Sequence, residues 1–297
     1  MAETTALCFT GEALRIVSGK TEGNRLRITR FSSLPLPVGA VVNGVITDES
    51  AALETLMKAK SAGVRAAKLV LDSGLILLKN LDVPAMSHDR LMELCRSELP
   101  GAGGGYEDLI YDYAILRASA QGEKGCSILC CAAERRLMEG YAELFSRVGV
   151  RLLCADISIN SANRLTRQLP EMADKTYVLA ILDGTQAVMM LYDHNRYVYS
   201  NRFRLMAERG SDALAAELAG HVSSLIQFNR SQRKEPVQTA YFGGLHENES
   251  FLCDRISAQL GIPALGLPSS AAVVTDRRLS EPFRLGDYFF ATGGLLG

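Results

Sequence analysis

The sequence predicts an α/β protein of two lobes that repeat one plan and face each other across a cleft. Three observations predict it. The chain has 297 residues, more than one domain of ordinary size needs. Its apolar stretches switch repeatedly between period two and period 3.6, the signatures of strand and helix. One succession of elements also occurs twice, first from Ala6 and again from Tyr177.

The elements follow in order. Ala6 to Phe9 and Glu12 to Ser18 read as strands about a Thr10-Gly11 turn, and Arg25 to Phe31 alternates cleanly, Leu26 and Ile28 opposite Arg27 and Thr29. Leu34 to Pro37 ends this meander. A helix carrying Leu53, Leu56 and Met57 stops at Gly63. Strands are expected at Lys68 to Asp72 and Leu75 to Leu78. A helix then aligns Leu91, Leu94, Cys95 and Leu99, and Pro100 with the glycines to Gly105 ends it. After strands at Tyr111 to Arg117 and Cys126 to Ala132, the stripe Leu137, Met138, Tyr141, Leu144, Phe145 and Val148 marks one helical face, closed by Gly149. Leu152 to Ala155 is a short strand and Ile157 to Leu169 a helix. The second meander has strands at Tyr177 to Leu182, Ala187 to Tyr192 and Tyr197 to Phe203. A helix from Asp212 to Asn229, a strand at Val237 to Phe242, a helix from Phe251 to Leu260 and a strand at Pro263 to Leu267 follow. Tyr288 to Leu296 closes the chain as a short helix.

Composition narrows the function. The net charge of -1 removes the electrostatic reason to expect nucleic acid or anionic lipid as partner. Arg230 to Lys234 is the one basic cluster and reads as a solvated helix end. With no Trp, no stacking platform for single strands is visible. Seven cysteines, an odd number without Cys-x-x-Cys spacing, argue against a disulfide framework. Cys126, Cys130 and Cys131 read as core residues of a strand, which fits a reducing, cytoplasmic setting. The start lacks a signal-peptide pattern, and no apolar run nears the roughly 20 residues of a membrane span, so no direct insertion is expected. His88, His194, His221 and His246 lack ligand spacing, and Glu107, Asp108 and Asp112 read as a solvated cluster, so no metal site is assigned.

The repeat aligns Ala6-Leu-Cys-Phe-Thr-Gly with Leu179-Ala-Ile-Leu-Asp-Gly, and two such halves are the duplicated plan of the actin and sugar-kinase group. Further pieces occur in order along nearly the whole length. They are Leu34 to Asp48, Leu81-Asp-Val-Pro, Ile110 to Leu116, Ala132 to Tyr141, Val148 to Ile157, Phe242-Gly-Gly-Leu and Leu260-Gly-Ile-Pro. On these the chain resembles the type IV pilus assembly PilM family. It is more distantly similar to the FtsA cell-division family and the cytoplasmic domain of the type II secretion GspL family.

The resemblance implies a duplicated actin-like (ribonuclease H-type) fold, two lobes around a cleft with a small inserted α+β subdomain. Lobe 1 is then residues 1–74, 151–172 and 268–297, the insert 75–150, and lobe 2 173–267. It also implies a cytoplasmic scaffold of a type IV pilus or related secretion assembly. Such a scaffold is held at the inner membrane face by a partner whose short N-terminal peptide docks beside the insert. Leu81, Val83, Pro84 and Leu94 are the candidate peptide contacts; the alternative is that all four are core. Self-association is left open.

An actin-like ATPase cradles phosphates with two Gly hairpins of the form Asp-x-Gly followed by small hydroxyl residues, the Asp helping to hold magnesium. The first hairpin here reads Phe9-Thr10-Gly11-Glu12, with Phe9 at the Asp position and a carboxylate after the glycine. In the second, Leu182-Asp183-Gly184-Thr185, a gapless match puts Leu182 at the Asp position, and Asp183 substitutes if the turn is one residue shorter. Gly243-Gly244 stands where backbone would approach an adenosine, or makes an ordinary turn. The candidate nucleotide positions are Gly11, Asp183, Gly184, Gly243 and Gly244, for ATP with magnesium bound weakly. No catalytic residue is assigned, and the hairpins are read as kept by the fold in a pseudo-ATPase. The competing readings are an active ATPase or filament-forming protein, and a small-molecule kinase for which Asp156 is the one placed acid.

Overall fold

The computed structural model describes residues 3–99, 108–117, 125–232 and 234–297. Lobe 1 opens with an antiparallel meander, β1 (Thr4–Phe9), β2 (Ala13–Glu22) and β3 (Arg25–Pro35). A two-residue-strand hairpin, β4 (Val41–Val42) with β5 (Val45–Ile46), leads into α1 (Glu49–Ser61). Asp48 caps that helix by accepting the Ala51 amide at 3.0 Å, which satisfies one otherwise unpaired donor. β6 (Ala66–Leu71) returns parallel to β1.

The insert follows as β7 (Leu77–Val83), α2 (His88–Glu98), β8 (Leu109–Arg117) and β9 (Cys126–Glu134), its sheet ordered β7-β9-β8. α3 (Arg135–Val148) ends at Gly149, whose φ of 73° suits a glycine cap. α3 lays Leu137, Tyr141, Leu144 and Phe145 beside α1 on the lobe 1 sheet rather than on the inserted one. β10 (Arg151–Ile157) then joins β6 in parallel and α4 (Ser158–Gln168) follows.

Lobe 2 repeats the plan. β11 (Tyr177–Asp183), β12 (Gln186–Asp193) and β13 (Arg196–Arg204) form the meander, α5 (Asp212–Ser231) crosses, and β14 (Thr239–Gly243) lies parallel to β11. α6 (Phe251–Leu260) and β15 (Ala264–Gly266) complete it, β16 (Val273–Thr275) pairs with β3, and α7 (Phe289–Gly294) ends the chain's last helical stretch. Taken from the third strand, the two sheets are β3-β2-β1-β6-β10 and β13-β12-β11-β14-β15, with matching parallel and antiparallel pairings. The internal repeat read from the sequence is therefore a repeat of topology.

Strand alternation assigns the faces. Leu7 and Phe9 point to the α1 and α3 side, where Phe9 meets Tyr141 at 5.6 Å between ring centroids. Ala6 and Cys8 point the other way, into a core shared by both lobes, and so do Tyr177, Leu179 and Ile181 of β11. Val178, Ala180 and Leu182 face α5 and α6. Helices α4 and α7 contribute to the shared core, with Ile159, Leu165, Phe289 and Phe290 buried there.

One sequence expectation shifts. The strand expected at Leu75 to Leu78 runs instead from Leu77 to Val83, because β9 pairs with it as far as Val83↔Cys126 and Pro84 stops it. The hairpin β4–β5 and strand β16 are too short to show a period. Gly101 to Gly105 and Glu107 lie outside the described residues.

The Phe9→Ala variant should lose about 3–5 kcal/mol of stability in urea unfolding, the cost of emptying a large core site. A loss near zero would mean that Phe9 faces the cleft after all.

Candidate functional site

The two hairpins of the repeat meet at the mouth of the shared core. Since Cys8 and Ile181 face between the lobes, so do the residues two further on, Thr10 and Asp183. Of the residues that the sequence alignment set at the Asp positions, the Phe9 and Leu182 side chains sit on the opposite faces of their strands, and Asp183, the substitute for Leu182, is the acid that reaches the cleft. Cys8, Thr10 and Asp183 are the side chains that the strands present there. They line a cavity of about 180 Å³ with Glu12, Asp72, Arg15, Arg209, Arg284 and the segment from Gly286 to Ala291.

The first hairpin is held by Thr10. Its hydroxyl accepts the Ala13 amide at 3.1 Å and donates to the Ala13 carbonyl at 3.0 Å, a side-chain turn of the kind that Ser and Thr favour. A Cβ added at Gly11 would have no neighbour nearer than 4.0 Å, so neither sterics nor a positive φ requires glycine there. The second hairpin is different. Gly184 takes φ 54°, and a Cβ there would stand 2.1 Å from Glu12 Oε1. The Glu12 carboxylate therefore lies directly on the Gly184 backbone.

The charges of the cleft are paired within the chain. Arg15 of lobe 1 reaches Asp183 of lobe 2 at 3.4 Å, also donates to Ser33 Oγ at 2.8 Å, and lies over the Tyr288 ring at 5.8 Å. Arg202 of lobe 2 reaches back to Asp72 of lobe 1 and to Ser158 Oγ at 3.0 Å, while Ser158 donates to Asp72 at 2.6 Å. Arg209 forks onto the buried Glu249 at 2.8 and 2.5 Å and donates to the Gly244 carbonyl at 2.8 Å. Burial alone would raise the Glu249 carboxyl; the Arg209 contacts and the His246 amide bring it below its ordinary value. Arg284 donates to the Leu245 carbonyl and pairs with Asp287 at 3.5 Å. Burial, followed by the fields of Asp72 and Asp183, pushes the Cys8 thiol well up.

The glycine pair after β14 packs against the chain itself. A Cβ on Gly243 would come within 2.8 Å of Ile181 and 3.1 Å of Gly286 Cα, and one on Gly244 (φ 76°) within 2.0 Å of the Leu182 carbonyl oxygen. Of the sequence-chosen nucleotide positions, Asp183, Gly184 and Gly244 line one cavity, while Gly11 and Gly243 open onto neighbouring ones. Nothing in the local sequence of Arg15, Asp72, Arg202 and Arg209 says that the fold brings them together. Asp156 lies away from this cavity. It binds Arg164 and accepts from Asn160 at 2.9 Å. Asp108 of the acidic cluster pairs with Arg135 at 2.7 Å on the surface. Among the described residues no group of three or more metal-ligating side chains converges.

The peptide candidates divide. Val83 and Pro84 border a groove of about 910 Å³ between the insert and lobe 2, opposite Tyr197, Phe228 and Lys234. The Val83 side chain is itself buried and packs with Leu81 and Leu94 on the insert's own core.

A two-lobed fold of repeated sheets with hairpins converging on a cleft defines an actin-like protein. The model of the family "Type IV pilus assembly protein PilM" matches residues 7–206, and the chain belongs to that family. Its structure is similar to that of a PilM–PilN type IV pilus biogenesis complex, with TM-score 0.80 and 17% identity over 99% of this chain and 98% of that one. The cytoplasmic domain of EpsL, an inner membrane component of the Vibrio cholerae type II secretion system, aligns with TM-score 0.52 and 11% identity over 100% and 96% of the two chains. A Bacteroides thetaiotaomicron protein with an actin-like ATPase fold aligns with TM-score 0.52 and 7% identity over 89% and 90%. The sequence matches no curated protein. Among the described residues no helix is long and apolar enough to cross a membrane.

Replacing Gly244 by Ala should cost at least about 3 kcal/mol, because both its φ and its contact with Leu182 forbid a Cβ, whereas Gly11→Ala should change stability by no more than about 0.5 kcal/mol. Thermal unfolding of the two variants separates the glycine that the fold demands from the one it does not.

Proposed function

We propose that this chain is a docking scaffold of a type IV pilus assembly, whose cleft is held by its own ion pairs and does not turn over nucleotide. The observation that carries this reading is the Glu12 carboxylate seated on Gly184. A phosphate approaching that hairpin's amides would meet a like charge where it needs a donor. One further feature supports it. The cleft guanidiniums of Arg15, Arg202, Arg209 and Arg284 already hold protein oxygens. The residues present thus fit ATP with magnesium poorly, and no step is assigned to it.

The docking half of the reading rests on the groove beside the insert. β7 is an edge strand of the inserted sheet and β13 an edge strand of the lobe 2 sheet. Asn80 of β7 donates to the Tyr197 carbonyl of β13 at 2.9 Å, so the two edges converge at that point. Beyond it the walls carry Val83, Pro84 and Phe228. Unpaired strand edges with apolar neighbours suit an extended peptide. The PilM–PilN structure motivates a membrane-protein N-terminal segment as that peptide.

Calorimetry with Mg-ATP, with phosphate release followed on the same sample, tests the cleft. No heat at millimolar nucleotide and no phosphate is the expected result; steady turnover would overturn the scaffold reading. The groove is tested by fluorescence titration with a labelled synthetic peptide from the cytoplasmic start of the membrane partner. Phe228→Ala should weaken binding about tenfold, as truncating an aromatic anchor does. Leu94→Ala should lower stability yet leave the affinity of the folded protein alone. The reverse pattern would move the docking site to the far side of the insert.

A further inference from the structure

The insert's core holds two cysteines that neither the fold nor the docking groove requires. Cys95 on α2 and Cys130 on β9 are both fully shielded from solvent, and their sulfurs stand 2.7 Å apart. They lie 35 positions apart in sequence and on different elements, so the fold and not local spacing brings them together. A disulfide needs sulfurs about 2.05 Å apart, with Cβ atoms about 3.5–4.5 Å apart. From the observed contact that bond is reached by a small movement of the sulfurs.

The other cysteines are arranged differently. Cys131 is next in sequence but on the opposite face of β9, where its sulfur donates to the Asp112 carbonyl at 3.4 Å. Cys126 is half-buried near the end of the strand, Cys154 is exposed on β10, and Cys8 lies in the core between the lobes. Cys95 and Cys130 sit among Val83, Leu91, Leu99 and Ile128, an apolar wall between helix and sheet. Burial raises both thiols above their ordinary value, so the closed subdomain holds little thiolate. Reaction therefore waits on α2 lifting from the sheet, a local opening well below global unfolding.

We propose that Cys95 and Cys130 are a modification site, a dithiol oxidised to an intramolecular disulfide by a low-molecular-weight disulfide of the glutathione class. One cysteine thiolate attacks the small disulfide, forms a mixed disulfide and releases one small thiol. The second cysteine, as thiolate, attacks the protein sulfur of that mixed disulfide and expels the other small thiol. The protein loses two electrons and two protons, and the small disulfide gains them as two thiols. The new bond pins α2 to the middle strand of the inserted sheet.

The test uses the full chain, reduced and then incubated with oxidised glutathione. Remaining thiols are blocked with N-ethylmaleimide, the protein is digested without reductant, and the peptides are read by mass spectrometry. The expected product is one linked peptide pair containing Cys95 and Cys130, two hydrogens lighter than the reduced pair and lost on adding reductant. Amide exchange in α2 should slow by roughly tenfold or more in the oxidised protein. Cys131→Ser should keep the link, and Cys130→Ala should abolish it and leave Cys95 open to the maleimide on unfolding. The proposal fails if both cysteines are recovered blocked, if each carries glutathione separately, or if the link runs through Cys131 or Cys126. Wild type and Cys131→Ser decide the matter alone should Cys130→Ala not fold.

Discussion

The shared core between the lobes is the constraint on which the rest depends. Two sheets bury the same kind of face toward each other, Ala6 and Cys8 from β1 and Tyr177, Leu179 and Ile181 from β11, with side chains of α4 and α7 between them. Such a core fixes register, because a slip of one residue would carry every side chain of a strand to the wrong face. It thereby decides what the hairpins present. Thr10 and Asp183 reach the cleft because Cys8 and Ile181 are committed to the core beneath them. The tyrosines make the contact specific. Tyr177 stacks on Tyr192 at 4.8 Å and meets Tyr241 edge-on at 5.6 Å, and the Tyr192 hydroxyl donates to Asn163 of α4 at 2.9 Å. Buried hydroxyls satisfied in this way cost little and hold the lobes in one relation.

Above that core the cleft is an electrostatic closure. The pairs Arg15–Asp183 and Arg202–Asp72 run in opposite directions between the lobes, so each lobe gives one cation and one carboxylate. Their side chains are about a fifth to a quarter exposed. Water screens them only in part, and each adds more orientation than stability. A ligand entering here would have to exchange these contacts for its own. The energetic question for any nucleotide is thus one of displacement and not of vacancy.

The sequence showed the large pattern and hid the convergence. Every long helix and nearly every strand was legible, because the apolar stripe of α3 or the alternation of β3 is a local signal that burial enforces. The duplicated plan was legible for the same reason. The face of a hairpin residue was only half legible: Asp-x-Gly matching set Phe9 and Leu182 at the Asp positions with Asp183 as a substitute, while the two-residue period counted from the shared core puts Cys8, Thr10 and Asp183 in the cleft. Arg15, Arg202 and Arg209 gave no local signal, since their partners stand 168, 130 and 40 positions away in the chain. Three of the peptide candidates belong to the insert's core, because Leu81 and Val83, two positions apart on one strand, share the face that packs with Leu94 of α2, and the groove is met at that strand's end, at Val83 and Pro84.

The insert is where these two regimes meet. Its sheet buries one face against α2 and sends Leu129 from the other into the core shared by the lobes. A small unit with so little core of its own has only modest stability to draw on. It is fastened to lobe 2 by the burial of Leu116 and Leu129 in that core and by the Asn80 contact with the Tyr197 carbonyl. The shared core is thus the frame that sets the insert and lobe 2 against each other, and the groove between them takes its walls from that packing.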